Sequence, residues 1–270
     1  MCSPEAMKTV ATAMTRRGVL AAGLAAAAGV AAPGIARAAE QRTVRFREIV
    51  DLTHTAFPTF PNFFKLTMEV TPILTVEENG VYVNRLTLPE HFGTHWDAPA
   101  HFVANGATAE QIPAERLIAP LAVIDISERA ARDPDAVVLP DDILQWERRY
   151  GRLRRGSFLA MYSGWEARLP GPEFLNEREG VYHFPGWGLE AAQFLLEERD
   201  FVGLGVDTHG IDPGHDSTFP VHIETFSRGR HGLENIAQLG NVPRDGMTII
   251  IGAPKHQGGS GGPARLFAVA

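Results

Sequence analysis

"HFGTHWDAPAH", residues 91–101, places three histidines and an aspartate within eleven positions, and the backbone it adopts decides what they can do together. On a helix, His91 and His95 would share a face, as in the His-Glu-x-x-His pattern of zinc proteases. Phe92 stands where that pattern needs glutamate, Gly93 weakens a helix, and Pro99 disfavours helical backbone at Ala98. The segment therefore reads as an extended strand entering a turn. Side chains two apart share a strand face, so His95 and Asp97 project together, and a turn at Ala98-Pro99 swings His101 back toward them. Neutral imidazoles with a carboxylate suit Zn2+, Mn2+ or Fe2+.

Outward from this stretch, short β-rich runs recur: "VRFREIVDLT" (44–53), "VYVNRLTL" (81–88), "LAVIDIS" (121–127), "SFLAMYS" (157–163), "FVGLGVD" (201–207) and "MTIIIGA" (247–253). "LAVIDIS", "FVGLGVD" and "MTIIIGA" are nearly continuous in apolar residues, as strands buried on both faces are. Between them, "PDDILQWERRY" (140–150) opens with Asp141 and Asp142 where a helix N-terminus favours acids. "GLEAAQFLLEERD" (188–200) sets Leu189, Ala192, Leu195 and Leu196 on one helical face, and "GLENIAQL" (232–239) predicts a shorter amphipathic helix. Irregular alternation of strand and helix predicts an α/β fold with a mixed sheet and flanking helices. No linker divides the chain, so residues 39–270 are expected to form a single catalytic domain.

Residues 1–38 differ in kind. Arg16 and Arg17 precede an Ala/Gly/Leu/Val run, and Ala36-Arg37-Ala38 supplies a small-x-small site. This is the pattern of a twin-arginine signal peptide, with cleavage expected after Ala38 and export to the periplasm. The apolar run is too weakly hydrophobic for a stable membrane anchor. Removing it takes away Lys8, Arg16, Arg17 and Arg37 against Glu5, moving the formal charge from −7 to −10. A chain this acidic is not a nucleic-acid binder. The single cysteine, Cys2, leaves with the signal, so the mature protein has neither disulfides nor a thiol nucleophile.

"HFGTHWDAPAHF" closely resembles the H-x-G-T-H-x-D-x-P-x-H signature of the cyclase superfamily, whose members include bacterial kynurenine formamidases and isatin hydrolases. "DLTHTAFPTFP" (51–61), "YSGW" (162–165), "GVDTHGIDPG" (205–214) and "GGSGGPAR" (258–265) resemble further blocks of that family. The resemblance implies a swivelling β/β/α fold and a divalent metal, Zn2+ or Mn2+, at one or two ions per chain. In two-metal members a histidine and a glutamate twelve positions apart complete the site, and His222 and Glu234 stand at that spacing. The implied ligands are His91, His95 and Asp97 for a first ion, with Asp97 able to bridge, and His101, His222 and Glu234 for a second. In isatin-hydrolase-like members only the first triad binds metal, usually manganese, and the residue at His101 orients water. Relatives of this kind are usually dimers or larger, so a homo-oligomer is expected.

The implied chemistry is metal-assisted hydrolysis of an amide, either opening of a cyclic amide or deformylation of an N-formyl arylamine. His101 is the candidate acid/base group. Phe63, Phe64, Trp96 and His209 are candidates for binding a small, aromatic substrate. Asp207 and His209 lie at a strand end, where active-site groups gather in α/β sheets. Glu224 and His231 are rival claimants, and His231, between Arg230 and the "GLEN" run, reads as an exposed loop residue. Two other readings stand beside the hydrolase: an exported metal-binding protein with a closed ligand shell, and a 2-His-1-carboxylate iron oxygenase. A serine hydrolase reading is weak, because "GGSGG" (258–262) lacks the strand-then-helix context of a nucleophile elbow.

Overall fold

The computed structural model describes residues 46–270. The proposed signal segment, residues 1–38, lies outside the described residues. Thirteen strands occur among them: β1 (Ile49–Asp51), β2 (Glu69–Leu74), β3 (Val83–Thr87), β4 (His95–Asp97), β5 (Ile118–Asp125), β6 (Val137–Val138), β7 (Ser157–Tyr162), β8 (Gly186–Trp187), β9 (Phe201–Val206), β10 (His231–Glu234), β11 (Met247–Gly252), β12 (Gly261–Pro263) and β13 (Arg265–Val269). Three longer helices are α1 (Pro140–Tyr150), α2 (Leu189–Glu198) and α3 (Pro220–Ser227).

Nine strands form one curled mixed sheet in the order β1-β13-β11-β5-β7-β9-β10-β4-β12. β5, β7, β9 and β10 run parallel, and the flanking strands pair antiparallel. The apolar runs read from sequence are the centre of this sheet because both of its faces are covered. Ala122, Ile124, Leu159, Met161, Leu204 and Val206 meet the helices. Leu121, Val123, Phe158, Ala160, Ile249 and Leu266 fill the opposite, concave side with Trp96 and Leu239. The expected α/β fold with a mixed sheet is the one found.

α1 starts at Pro140, where a missing N–H costs nothing. Asp142 reaches back to accept the Leu139 N–H at 2.8 Å and also binds Arg129. Its inward face buries Ile143 and Trp146, worth about 1.5–3 kcal/mol each. In α2 the buried stripe is Ala191, Ala192 and Leu195. Leu189 is exposed, so the predicted face is rotated by part of a turn toward Ala191.

One predicted helix is corrected. Residues 232–239 begin as strand β10 and continue through residues in the left-handed region, Asn235 (φ 55°) and Gln238 (φ 56°). Leu233, Ile236 and Leu239 recur every three residues, which mimics a helical stripe. Gly232 and Leu233 instead pair with β9 on one side and β4 on the other, burying the segment as sheet.

A third, aromatic cluster of Phe60, Phe92, Trp165, Phe174 and Phe184 sits beside the sheet and carries Phe57, Phe63 and Tyr182 against it. No helix among the described residues is long and apolar enough to cross a membrane.

Candidate metal centre

β4 carries the centre. It lies between β10 and β12, with Glu234 opposite His95 and Gly261 opposite Asp97. The strand period sends His95 and Asp97 to one side, Nε2 to Oδ1 being 3.4 Å, and Trp96 to the other. Trp96 is fully buried in the concave core and does not line the cavity, which corrects its candidacy for substrate contact. Gly93 just upstream adopts φ 64°, a left-handed conformation that suits glycine. Its carbonyl accepts from His95 Nδ1 at 2.9 Å and from Asn235 Nδ2 at 2.7 Å. His95 thereby presents Nε2 inward.

The turn that follows is a single 3-10 turn, Pro99–His101, and it returns His101 until its ring stacks on His91 at 3.6 Å and 18°. His91 Nδ1 meets Asp97 Oδ1 at 2.6 Å, and its Nε2 meets Ser260 Oγ at 2.9 Å. Glu90 accepts from the Ser260 hydroxyl at 2.5 Å. From α3, His222 Nε2 reaches Glu234 Oε1 at 3.1 Å, while Glu234 Oε2 lies 3.2 Å from His95 Nε2. His222 Nδ1 donates to Asp212 Oδ2 at 2.6 Å, and the same carboxylate accepts the backbone N–H of Val221 and of His222.

All six predicted ligand residues thus converge. Two groups of donors have their atoms mutually within 4.8 Å: His91, Asp97 and His101, and His95, Asp97 and Glu234. Asp97 belongs to both groups. Asp97 Oδ2 is buried and accepts no hydrogen bond, with His222 Nε2 standing 3.8 Å away. A buried carboxylate oxygen left bare costs several kcal/mol unless a charge meets it. Together with imidazole nitrogens and a second carboxylate, it is a donor set that fits a divalent cation.

The protonation of the cluster supports that fit. Burial would raise Asp97, but the charges of His95 and His91 hold its carboxyl well below the usual range. Burial and the Asp97 charge would raise Glu234, yet hydrogen bonds from His222 and His95 hold it at about 2. Burial opposes a charge on His95, and the charges of Asp97 and Glu234 overcome it, lifting its pKa to about 9. His222 is raised well above its ordinary value against the same burial, by Asp212, Asp97 and Glu234. Without a metal, two protons on imidazoles neutralise two carboxylates.

Above the cluster opens a cavity of about 310 Å3 walled by Phe63, Phe64, Phe102, Tyr182 and Phe219. Phe63 and Phe64 therefore line the cavity over the cluster. His209 also faces the cavity, but its polar atoms are engaged: Nε2 accepts the Phe63 N–H at 3.0 Å, and Nδ1 faces Asn235 Oδ1 at 3.3 Å. Burial lowers its pKa to about 4, so it is neutral and fixes the aromatic wall. Burial likewise lowers His101 to about 4. Asp207 sits off the cluster, accepting from Ser163 and Trp165.

His231 is not an exposed loop residue. It is buried in β10, donates Nε2–H to the Arg116 carbonyl at 3.1 Å, and does not line the cavity. Glu224, on the outer side of α3, is half-exposed and away from the cluster. Sequence reasoning missed Asp212, Ser260, Phe102, Tyr182 and Phe219. Ser260 lies in the "GGSGG" run, whose signal is close approach: a Cβ at Gly261 would stand 2.7 Å from His91 Cε1.

Comparison with known proteins agrees with this geometry. A family profile described as "Putative cyclase" matches residues 50–213. The isatin hydrolase of Roseibium aggregatum is 33% identical over 243 residues, covering 82% of this chain and 91% of that protein. A kynurenine formamidase of Bacillus thuringiensis subsp. konkukian is 29% identical over 161 residues, covering 59% of this chain and 68% of the relative. The crystal structure of an isatin hydrolase bound to the product analogue thioisatinate superposes with a TM-score of 0.78 at 31% identity, covering 83% of this chain and 92% of the other. With the signature, the fold and the clustered donors in agreement, this chain belongs to the cyclase family of metal-dependent hydrolases.

Proposed function

We propose that this protein opens the amide bond of a small cyclic aromatic amide of the isatin type. The chain is a metal-dependent amide hydrolase acting on C–N bonds outside peptides. The observation that carries the substrate reading is an aromatic-walled cavity standing directly over a bare, buried carboxylate oxygen among histidines. When bound, a divalent ion, Zn2+ or Mn2+, supplies Lewis acidity, polarising a carbonyl and lowering the pKa of water from 15.7 toward about 7. His91, His95 and Asp97 would hold one ion, and His222 and Glu234 would serve a second.

The chain's own residues supply the rest. His101 is neutral at physiological pH, and neither ring nitrogen hydrogen-bonds to another described residue, so it can take the proton that water loses on attack. Its stacking on His91 fixes the ring at the cavity floor. Phe63, Phe102 and Tyr182 offer faces and edges for a planar ring and keep bulk water from the carbonyl. Hydrolysis is checked by the loss of isatin absorbance on adding the mature, metal-loaded protein. Turnover of N-formylaniline but not isatin would favour deformylation instead, a reading that the two donor groups sharing Asp97 support through a two-ion centre. Elemental analysis decides the count: about one manganese or about two zinc per chain.

Two expectations from sequence extend the proposal. Residues 1–38 direct export through the twin-arginine route, so Arg16→Lys with Arg17→Lys should leave an unprocessed precursor in the cytoplasm. The protein also assembles as a homo-oligomer. The β2–β3 hairpin supports this, since Val70, Ile73, Tyr82, Val83 and Leu86 are all exposed on it or beside it. Light scattering should give a dimer or larger, reduced to a monomer by Tyr82→Asp with Leu86→Asp.

A further inference from the structure

The reaction cavity has a neighbour. A second cavity of about 260 Å3 shares Phe63, Tyr182 and Phe219 with it and carries a more polar lining that includes His215, Asp216 and Ser217. Two of the three shared rings are tied down. Phe63 is bonded through its N–H to His209, its ring 4.5 Å from that imidazole, and Tyr182 meets it edge-on at 5.2 Å. Phe219 is held differently. Its φ of 52° and ψ of 47° place a bulky side chain in the left-handed region, where few residues other than glycine and asparagine go. It also directly precedes Pro220, which pushes the preceding residue toward extended backbone.

Such a conformation persists only where surroundings over-determine it. Here Asp212 accepts the N–H groups of Val221 and His222 at 2.7 and 3.1 Å, and the Phe219 carbonyl accepts the Ile223 N–H at 3.1 Å. The strained backbone aims the Phe219 ring between the cavities, 5.3 Å from Phe102, 6.4 Å from Phe63 and 6.0 Å from the His222 imidazole. A glycine at this position would satisfy the same helix start without strain.

We propose that Phe219 is a specificity-determining partition: it seals the reaction cavity from the second one, confining the enzyme to compact amides, and the second cavity takes a ring substituent of the substrate once the partition is shortened. The proposal rests on the reaction assigned above. The substituent it fits is neutral and hydrogen-bonding at its tip, because the far lining offers hydroxyl, imidazole and carboxylate acceptors around an apolar neck.

The test compares kcat/KM for isatin and for isatin bearing a hydroxyphenyl group on its carbocyclic ring, in wild type, Phe219→Gly and Phe219→Asn. Glycine removes ring and strain together; asparagine tolerates the left-handed backbone and serves if the glycine variant does not fold. The ratio of extended to parent substrate should rise at least tenfold in each folded variant. An unchanged ratio overturns the partition. If wild type turns over neither isatin nor N-formylaniline, the assigned reaction fails, and the partition is then judged by calorimetric affinities for the same two isatins, with the same tenfold criterion.

Discussion

Asp97 has no exposed surface, and its two oxygens have different surroundings: Oδ1 meets His91 and His95, while Oδ2 faces His222 across 3.8 Å without a hydrogen bond. His95→Ala or Asp97→Ala should therefore remove hydrolysis and bound metal together, read by turnover and elemental analysis on the same sample. Glu234→Ala should abolish both only if two ions are required. Because His95 titrates at about 9 and both carboxylates are ionised far lower, metal uptake must expel protons from imidazole. Apparent affinity should then climb as pH rises toward 9 and fall on acidification, and the calorimetric enthalpy should change with buffer. Asp212→Ala should weaken metal binding about 10–100-fold by freeing His222 to turn, with Asp212→Asn retaining more. Of this residue-scale picture, the β4 pair was legible from the strand period alone. His222 and Glu234 became legible through family resemblance. Asp212 and Ser260 were not, because a carboxylate ten residues from its histidine, or a serine 169 residues from His91, leaves no periodic trace.

At the scale of elements, the continuous apolar runs announced β5, β9 and β11 because a strand covered on both sides has no polar face to show. The helix expected over 232–239 failed for a different reason: three apolar residues spaced by three mimic a helical stripe in a short segment, but Gly232 and Leu233 pair into the sheet and the chain beyond turns through left-handed residues. β12 has almost no side chains with which to signal itself, yet it covers the outer edge of β4. Gly261→Ala should push against His91 and the Trp96 carbonyl, lowering metal content while leaving the helical circular dichroism signal intact. On α2, Leu195→Ala should cost about 2–5 kcal/mol in denaturant unfolding, since Leu195 is fully buried against Leu159 and its neighbours.

Across the whole molecule, one buried group sets a pH trend unrelated to metal. Burial raises the Asp207 carboxyl to about 6, despite hydrogen bonds from Ser163 and Trp165 that act in the opposite direction. The folded state then binds a proton more tightly than the unfolded chain, whose aspartate titrates near 3.8. Stability from this group is full below that value and is lost as pH rises through about 6, by roughly 2–3 kcal/mol. The difference in unfolding free energy between wild type and Asp207→Asn should accordingly change between pH 4 and 6 and flatten above 7.

The same architecture fixes an order of events in time. β4 is made well before the serine that steadies His91, 169 residues further along, and before the strand that closes its edge. A nascent chain still short of them holds histidines without their final geometry. Metal capture would thus require the chain at least through β12, and a product interrupted before it, however soluble, should bind metal less tightly.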